Sequence, residues 1–136
     1  MGIASAMKAM RPELRVYTAE PATGAALAAA LPAGEPVDVE YTASFVDGAG
    51  SRRVLDPMWP RVRELVDDAF AVPIAEAAGA VRLLAARAHV VAEGAGALAL
   101  AAALSGRAGA GKVVCIVSGG NIDPAKLAAI LQGADS

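Results

Sequence analysis

The sequence predicts an α/β fold: an open, mostly parallel sheet flanked by helices. Three observations predict it. Val113 to Val117 form an uncharged, mostly β-branched run without alternation, the pattern of a strand buried on both faces of a sheet. Ser118-Gly119-Gly120-Asn121 breaks that run, and Asp123-Pro124 then starts a helix, with Asp as N-cap and Pro at the first helical position. Finally, apolar positions at helical spacing alternate with further short strand-like runs along the rest of the chain.

Taken in order, residues 2–10 read as a helix with Ile3, Met7 and Met10 on one side, stopped by Pro12 and lacking a cap. Arg15-Val-Tyr-Thr-Ala19 reads as a strand, followed by Glu20-Pro21. Thr23 is placed to cap a second, alanine-rich helix that ends before Pro32. Residues 32–60 are irregular and hold the turn-rich Asp47-Gly48-Ala49-Gly50-Ser51; a stretch that long without structure points to function or to a misread element. From Pro60 onward Val62, Leu65, Val66 and Ala69 follow helical spacing, and Ala69 to Val72 form a short strand. Pro73 opens the clearest helix, with Ile74, Ala77, Ala78, Val81, Leu84, Ala85 and Ala88 on its apolar stripe. Arg82 and Arg87 fall off that stripe and read as solvated. His89 to Ala92 is a further short strand, and Leu98 to Leu104 a helix apolar all round, hence buried. Leu127, Ile130 and Leu131 give the last helix its inner face.

A length of 136 residues suits one domain with a real core. The net charge of −2 and 4% aromatic content offer neither a basic surface nor stacking platforms, so nucleic acid is not an expected partner. The charge-free run from Gly94 to Ser105 is short of the roughly 20 residues of a membrane span. The first eight residues lack a basic leader followed by an apolar core, which leaves a cytoplasmic location as the expectation. A single cysteine, Cys115, reads as a buried small hydrophobe within its strand.

Few residues stand out for chemistry. A small-residue turn at the carboxyl end of a strand is where open α/β sheets bind ligands. Ser118 offers a hydroxyl there, and Gly119 and Gly120 allow close approach to the backbone. An ordinary strand-to-helix turn would use the same residues. Glu93 enters an apolar helix, which is costly unless the acid is satisfied by helix N-terminal N–H groups or is put to use. His89 has no partner at metal or triad spacing. Glu20, Asp38 and Glu40 lack a fixed spacing for a cation and read as solvated acids. Lys8, Lys112 and Lys126, the only lysines, read as surface residues.

Four stretches occur together in the order of a known family: Arg15-Val-Tyr-Thr-Ala-Glu-Pro21, Asp47-Gly48, Glu93-Gly-Ala-Gly-Ala97 and Ser118-Gly-Gly-Asn121. Arg63 to Val72 fits the same series. The chain resembles the second half of a pyridoxal-phosphate-dependent serine/threonine dehydratase, in the fold type II group that includes serine racemase and the tryptophan synthase β chain. The resemblance implies that residues 1–136 form a single partial domain of that fold. It also implies β-elimination of a hydroxy amino acid to a keto acid and ammonia. Pyridoxal phosphate is the implied cofactor, with Ser118 at its pyridine nitrogen, Glu93 near the ring, Gly119 beside Ser118, and Gly48 lining the cavity with backbone. The family's Schiff-base lysine and glycine-rich phosphate loop have no match here, so no catalytic residue is expected in this chain, and neither is activity from it alone. The acid that several relatives use for a cation is Ala26 here, so no metal is expected. The implied partners are a small amino acid substrate in a complete enzyme, and a missing half or further copies of the chain.

Two functional readings remain open on these grounds. One is the carboxyl-terminal part of such an ammonia-lyase. The other is a noncatalytic α/β module that binds a small anion or a partner chain.

Overall fold

The computed structural model describes residues 1–135. The described residues form six α-helices and two strands: α1 (Gly2–Met10), β1 (Tyr17–Pro21), α2 (Ala26–Ala33), α3 (Trp59–Leu65), β2 (Asp68–Val72), α4 (Ile74–Leu83), α5 (Gly94–Leu104) and α6 (Pro124–Leu131). A short 3-10 turn, Asp56–Met58, leads into α3. The two strands pair in parallel, Tyr17 opposite Asp68 through Pro21 opposite Val72. Both ends of the ladder are pinned: Asp67 N–H donates to Val16 O and Ala22 N–H to Val72 O, each at 2.8 Å. Tyr17 and Phe70 stack at 5.3 Å between ring centroids, and the Arg107 guanidinium lies 5.0 Å above the Phe70 ring.

The core lies between this sheet and the α4–α5 pair. Val72, Ala77, Ala78, Val81, Ala97 and Leu98 are fully or almost fully buried there, together with Ile130 of α6. Alanine at the α4–α5 contact lets the helices approach closely while still removing apolar area from water. Of the α4 stripe read from the sequence, Ala77, Ala78, Val81 and Leu84 are buried and Ile74 and Ala85 half-buried, but Ala88 is exposed and Ala80, off the stripe, is buried. The helix continues into a π-helical turn, Leu84–Ala88, which ends at His89 with φ 56°.

Several expectations are corrected. The run from Val113 to Val117 forms no strand and pairs with none among the described residues, and Val114 is 83% exposed. It touches α5, where Cys115 Sγ lies 3.5 Å from Ala99 O. Cys115 is accordingly half-buried rather than buried. Residues 89–92 likewise form no strand. α5 is less buried than a helix apolar all round implies, since Leu104 is mostly exposed.

Four side chains read as caps or surface groups depart from those readings. Thr23 does not cap α2: its hydroxyl is buried without a partner, and Pro32 lies inside the helix rather than beyond it. The cap comes from Glu20 at the end of β1, whose carboxylate accepts the Leu27 and Ala28 N–H groups at 2.9 Å each. Arg82 is not simply solvated. Its guanidinium donates to the carbonyls of Ile130 (3.3 Å) and Ala134 (2.9 Å) and pairs with Asp135 at 2.9 Å, tying α4 to the end of α6. Lys8 pairs with Asp67 at 2.8 Å and thereby holds α1 against the start of β2.

Candidate functional site

Three of the four candidate residues meet where the long loop, α5 and the segment before α6 converge. The loop first docks on the helix start. Phe45 and Val46 pack so close to Gly94 that a Cβ there would lie 2.8 Å from the Phe45 ring. Gly48 then comes beside Glu93 and Ala95; a Cβ on Gly48 would stand 3.1 Å from the Ala95 methyl and 3.8 Å from the Glu93 carboxyl carbon. From the other side, the Gly119 carbonyl accepts the Glu93 N–H at 3.1 Å. A Cβ on Gly119 would overlap Glu93 Oε1, and one on Gly96 would overlap the Gly119 carbonyl oxygen. The glycines of Glu93-Gly-Ala-Gly and Ser118-Gly-Gly are therefore what lets the two segments touch.

Glu93 occupies the N-cap position of α5, yet its carboxylate makes no bond to the helix N–H groups. The reading of Glu93 as a simple helix-end acid is thus not what the geometry gives. The half-buried carboxylate instead faces a hollow of about 120 Å³ lined also by Phe45, Asp47, Asn121, Ile122, Asp123 and Lys126. Lys126, a surface residue on the sequence reading, lies in the first turn of α6 and borders this hollow. Ser118 is exposed immediately before Gly119. The turn is anchored on its far side by the expected cap: Asp123 Oδ1 accepts the N–H groups of Ala125 (2.7 Å) and Lys126 (3.1 Å).

Elsewhere Glu20, Asp38 and Glu40 do not gather. Asp38 pairs with Arg53 at 3.4 Å, and Glu20 is committed to α2. Among the described residues no group of three or more His, Cys, Asp or Glu side chains is arranged to hold a metal ion. His89 is exposed. No described helix is long and apolar enough to cross a membrane.

The arrangement is that of an α/β domain in which a glycine turn and a helix start meet beside a small hollow, the place where open α/β sheets commonly bind ligands. Comparison with known proteins then fixes the family. Residues 1–119 match the family described as "Pyridoxal-phosphate dependent enzyme". An L-threonine ammonia-lyase of Geobacter sulfurreducens is 35% identical over 133 residues, covering 96% of this chain and 33% of that protein. The catabolic L-threonine dehydratase of Escherichia coli is 37% identical over 139 residues, covering 99% and 42%. Among solved structures, maize serine racemase matches with a TM-score of 0.83 at 33% identity over 96% of this chain and 43% of its own. A bacterial threonine deaminase, from T.th., matches with a TM-score of 0.82 at 33% identity, covering 90% and 42%. The chain belongs to the pyridoxal-phosphate dependent enzyme family, with the fold of its type II members. It spans between a third and about two fifths of the length of these relatives. These matches favour the enzyme reading over the noncatalytic module.

Proposed function

We propose that the chain is one partial domain, residues 1–136, of a cytoplasmic ammonia-lyase acting on serine or threonine, and that it supplies the wall of the cofactor site that meets the pyridine ring. The observation that carries this reading is the convergence of Gly48 and Gly119 on the Glu93 carboxylate, beside the exposed hydroxyl of Ser118. That surface fits a flat heteroaromatic ring. Glycine backbone lets the ring approach, and one neutral hydroxyl and one carboxylate stand at its rim. The other wall, with the lysine and the phosphate loop, comes from a portion that this chain's lysines do not replace: Lys8 is paired with Asp67, Lys112 is exposed, and Lys126 sits on α6.

When bound, pyridoxal phosphate supplies the electron sink that lets a Cα proton leave and a β-hydroxyl follow. Ser118 would hold the ring nitrogen by one hydrogen bond. A neutral hydroxyl leaves that nitrogen largely unprotonated, whereas a carboxylate in its place would draw a proton onto it. The moderate sink suits elimination. Glu93 would face the ring edge with its carboxylate, held in place by the bond between its N–H and Gly119. Gly48 would close the cavity with backbone alone.

The chain by itself is expected to form no keto acid from L-threonine or L-serine in the presence of pyridoxal phosphate, and turnover by the isolated chain would overturn the reading. In an enzyme completed by a lysine-bearing portion, Ser118→Ala removes one neutral hydrogen bond, worth on the order of 1 kcal/mol, so cofactor affinity falls several-fold. Ser118→Asp protonates the ring nitrogen and shifts products away from elimination. The check is the cofactor's absorption spectrum and the product ratio at matched folded fraction. Unchanged spectra in both variants would remove Ser118 from the ring.

A further inference from the structure

The carboxyl ends of β1 and β2 open on a cleft of about 610 Å³. Thr23, just past β1, and Ile74, just past β2, border it. The long loop supplies Ala43, Ser44 and Phe45, and α6 supplies Lys126. Phe45 and Lys126 also border the smaller hollow beside Glu93, so the two spaces are neighbours. Gly48, Glu93, Ser118 and Gly119 take no part in the larger one.

The polar groups of this cleft have donors to spare. The Thr23 hydroxyl is buried and has no hydrogen-bond partner, although the Thr23 carbonyl accepts the Thr42 N–H at 2.8 Å. A buried hydroxyl is rarely left unpaired, because it loses its bonds to water and gains none in return. The Ser44 hydroxyl accepts the Val46 N–H at 3.2 Å, which leaves its own hydrogen free to donate. The exposed Lys126 ammonium forms no ion pair among the described residues. The one acid on the border, Asp135, is already paired with Arg82 at 2.9 Å. The rest of the border is apolar, with Ala43, Phe45 and the half-buried Ile74.

Donors in excess call for an acceptor, and the apolar wall calls for hydrocarbon. Lys126 is the only cation on the described border, which matches a single negative charge better than a phosphate dianion. We propose that this cleft is a binding site for a short apolar monocarboxylate. Thr23, Ser44 and Lys126 donate to the carboxylate, and Phe45, Ile74 and Ala43 cover the hydrocarbon end. The site depends neither on pyridoxal phosphate nor on the proposed reaction, so it stands or falls separately from them.

The test is a titration of the chain with isovalerate, followed by its amide and methyl NMR signals. The expected result is a saturable shift at Thr23, Ser44 and Ile74. Acetate has the same head without the body and binds several-fold more weakly. Isobutylamine has the body with the opposite charge, inorganic phosphate has the charge without the body, and neither gives a saturable shift at these residues. Lys126→Gln removes one charge-assisted bond from an exposed position and weakens isovalerate on the order of tenfold. Thr23→Val carries the sharper contrast. It removes the unpaired hydroxyl at nearly constant shape, so isovalerate binds several-fold more weakly, while the empty chain unfolds at the same or a higher urea concentration. A hydroxyl that only serves the fold, directly or through a water, gives the reverse: unchanged binding and a less stable chain. The proposal is overturned by that reverse pattern, by Lys126→Gln binding isovalerate as the parent does, by the amine or phosphate binding as tightly as isovalerate, or by isovalerate shifts that do not saturate or that fall outside the cleft.

Discussion

Gly96→Ala is expected to destabilise the chain by roughly 1–3 kcal/mol, the usual cost of forcing extra volume into a tightly packed contact. In most helices this substitution helps by about 0.5–1 kcal/mol, because alanine is the better helix former. Here the new methyl would overlap the carbonyl oxygen of Gly119, and backbone cannot swing aside as a side-chain end can. Either the Ser118–Asn121 turn lifts away from α5, breaking the bond from Glu93 N–H to Gly119 O, or α5 shifts against α4. Gly79→Ala is the matched comparison. That glycine also lies inside a helix, but a Cβ there would meet only Arg82 Nη2 at 3.9 Å. It should stabilise by up to about 1 kcal/mol. Urea unfolding of the two variants beside the parent chain decides the matter. Equal and positive effects from both would mean that Gly96 is not the point of contact between the two segments.

Glu20→Ala should cost about 1–2 kcal/mol, the range for losing a helix cap. α2 is short, carries a proline in its last turn and has Ala25 at its N-cap, so no local side chain can replace Glu20. Glu20→Gln should cost much less, since an amide oxygen still accepts from Leu27 or Ala28. The pH dependence separates these variants further. Burial pushes the Glu20 carboxyl above its ordinary value of 4.5, although the Ala28 and Leu27 N–H groups partly counter it. The folded chain thus takes up this proton more readily than the unfolded one. The resulting stability is complete below 4.5 and is lost as pH rises through the raised value. Asp67 runs the other way. Desolvation raises it, but the hydrogen bonds from Lys8 and Val16 N–H together with the Lys8 and Arg15 charges outweigh that and hold it below 3.8. Its contribution is present above 3.8 and is lost as pH falls through the lowered value. In a comparison of mildly acidic and neutral solution, the parent chain should therefore gain stability on acidification, and Glu20→Gln should not. The same gain in both would show that Glu20 is not the titrating group.

Elements governed by neighbouring residues were legible in the sequence. Asp123-Pro124 specifies its cap and helix start locally, and β2 and α4 follow from short-range pattern around Pro73. What was not legible depends on residues distant in the chain. Thr23 has the right chemistry and spacing for α2, but Glu20 reaches the helix from the end of a strand, and only the folded path of β1 decides between them. Arg82 lies off the apolar stripe, yet the end of α6 lies over it, 48 and more residues away in sequence. The π-helical turn at Leu84–Ala88 has no composition signal at all. The run from Val113 to Val117 is the instructive case, because its pattern describes surroundings that the chain itself does not provide. For the site, the motifs singled out Gly48, Glu93 and Gly119, which the fold brings close together. They gave no sign of Lys126 beside the same hollow, because a lysine in the first turn of a helix looks like any surface lysine.

The parallel pairing of β1 with β2 also bears on how the chain assembles. The bonds that pin its start join Val16 to Asp67, 51 positions apart, whereas α4 and α5 are separated only by residues 84–93. Loop closure costs about 0.6 kcal/mol for each doubling of length, so bringing the strands together costs roughly 1.4 kcal/mol more entropy than bringing the helices together. The helical hairpin can therefore nucleate from nearby contacts, while the two-stranded ladder has to wait for a distant encounter. The order of assembly is written in the spacing of the elements and owes little to the strength of their contacts.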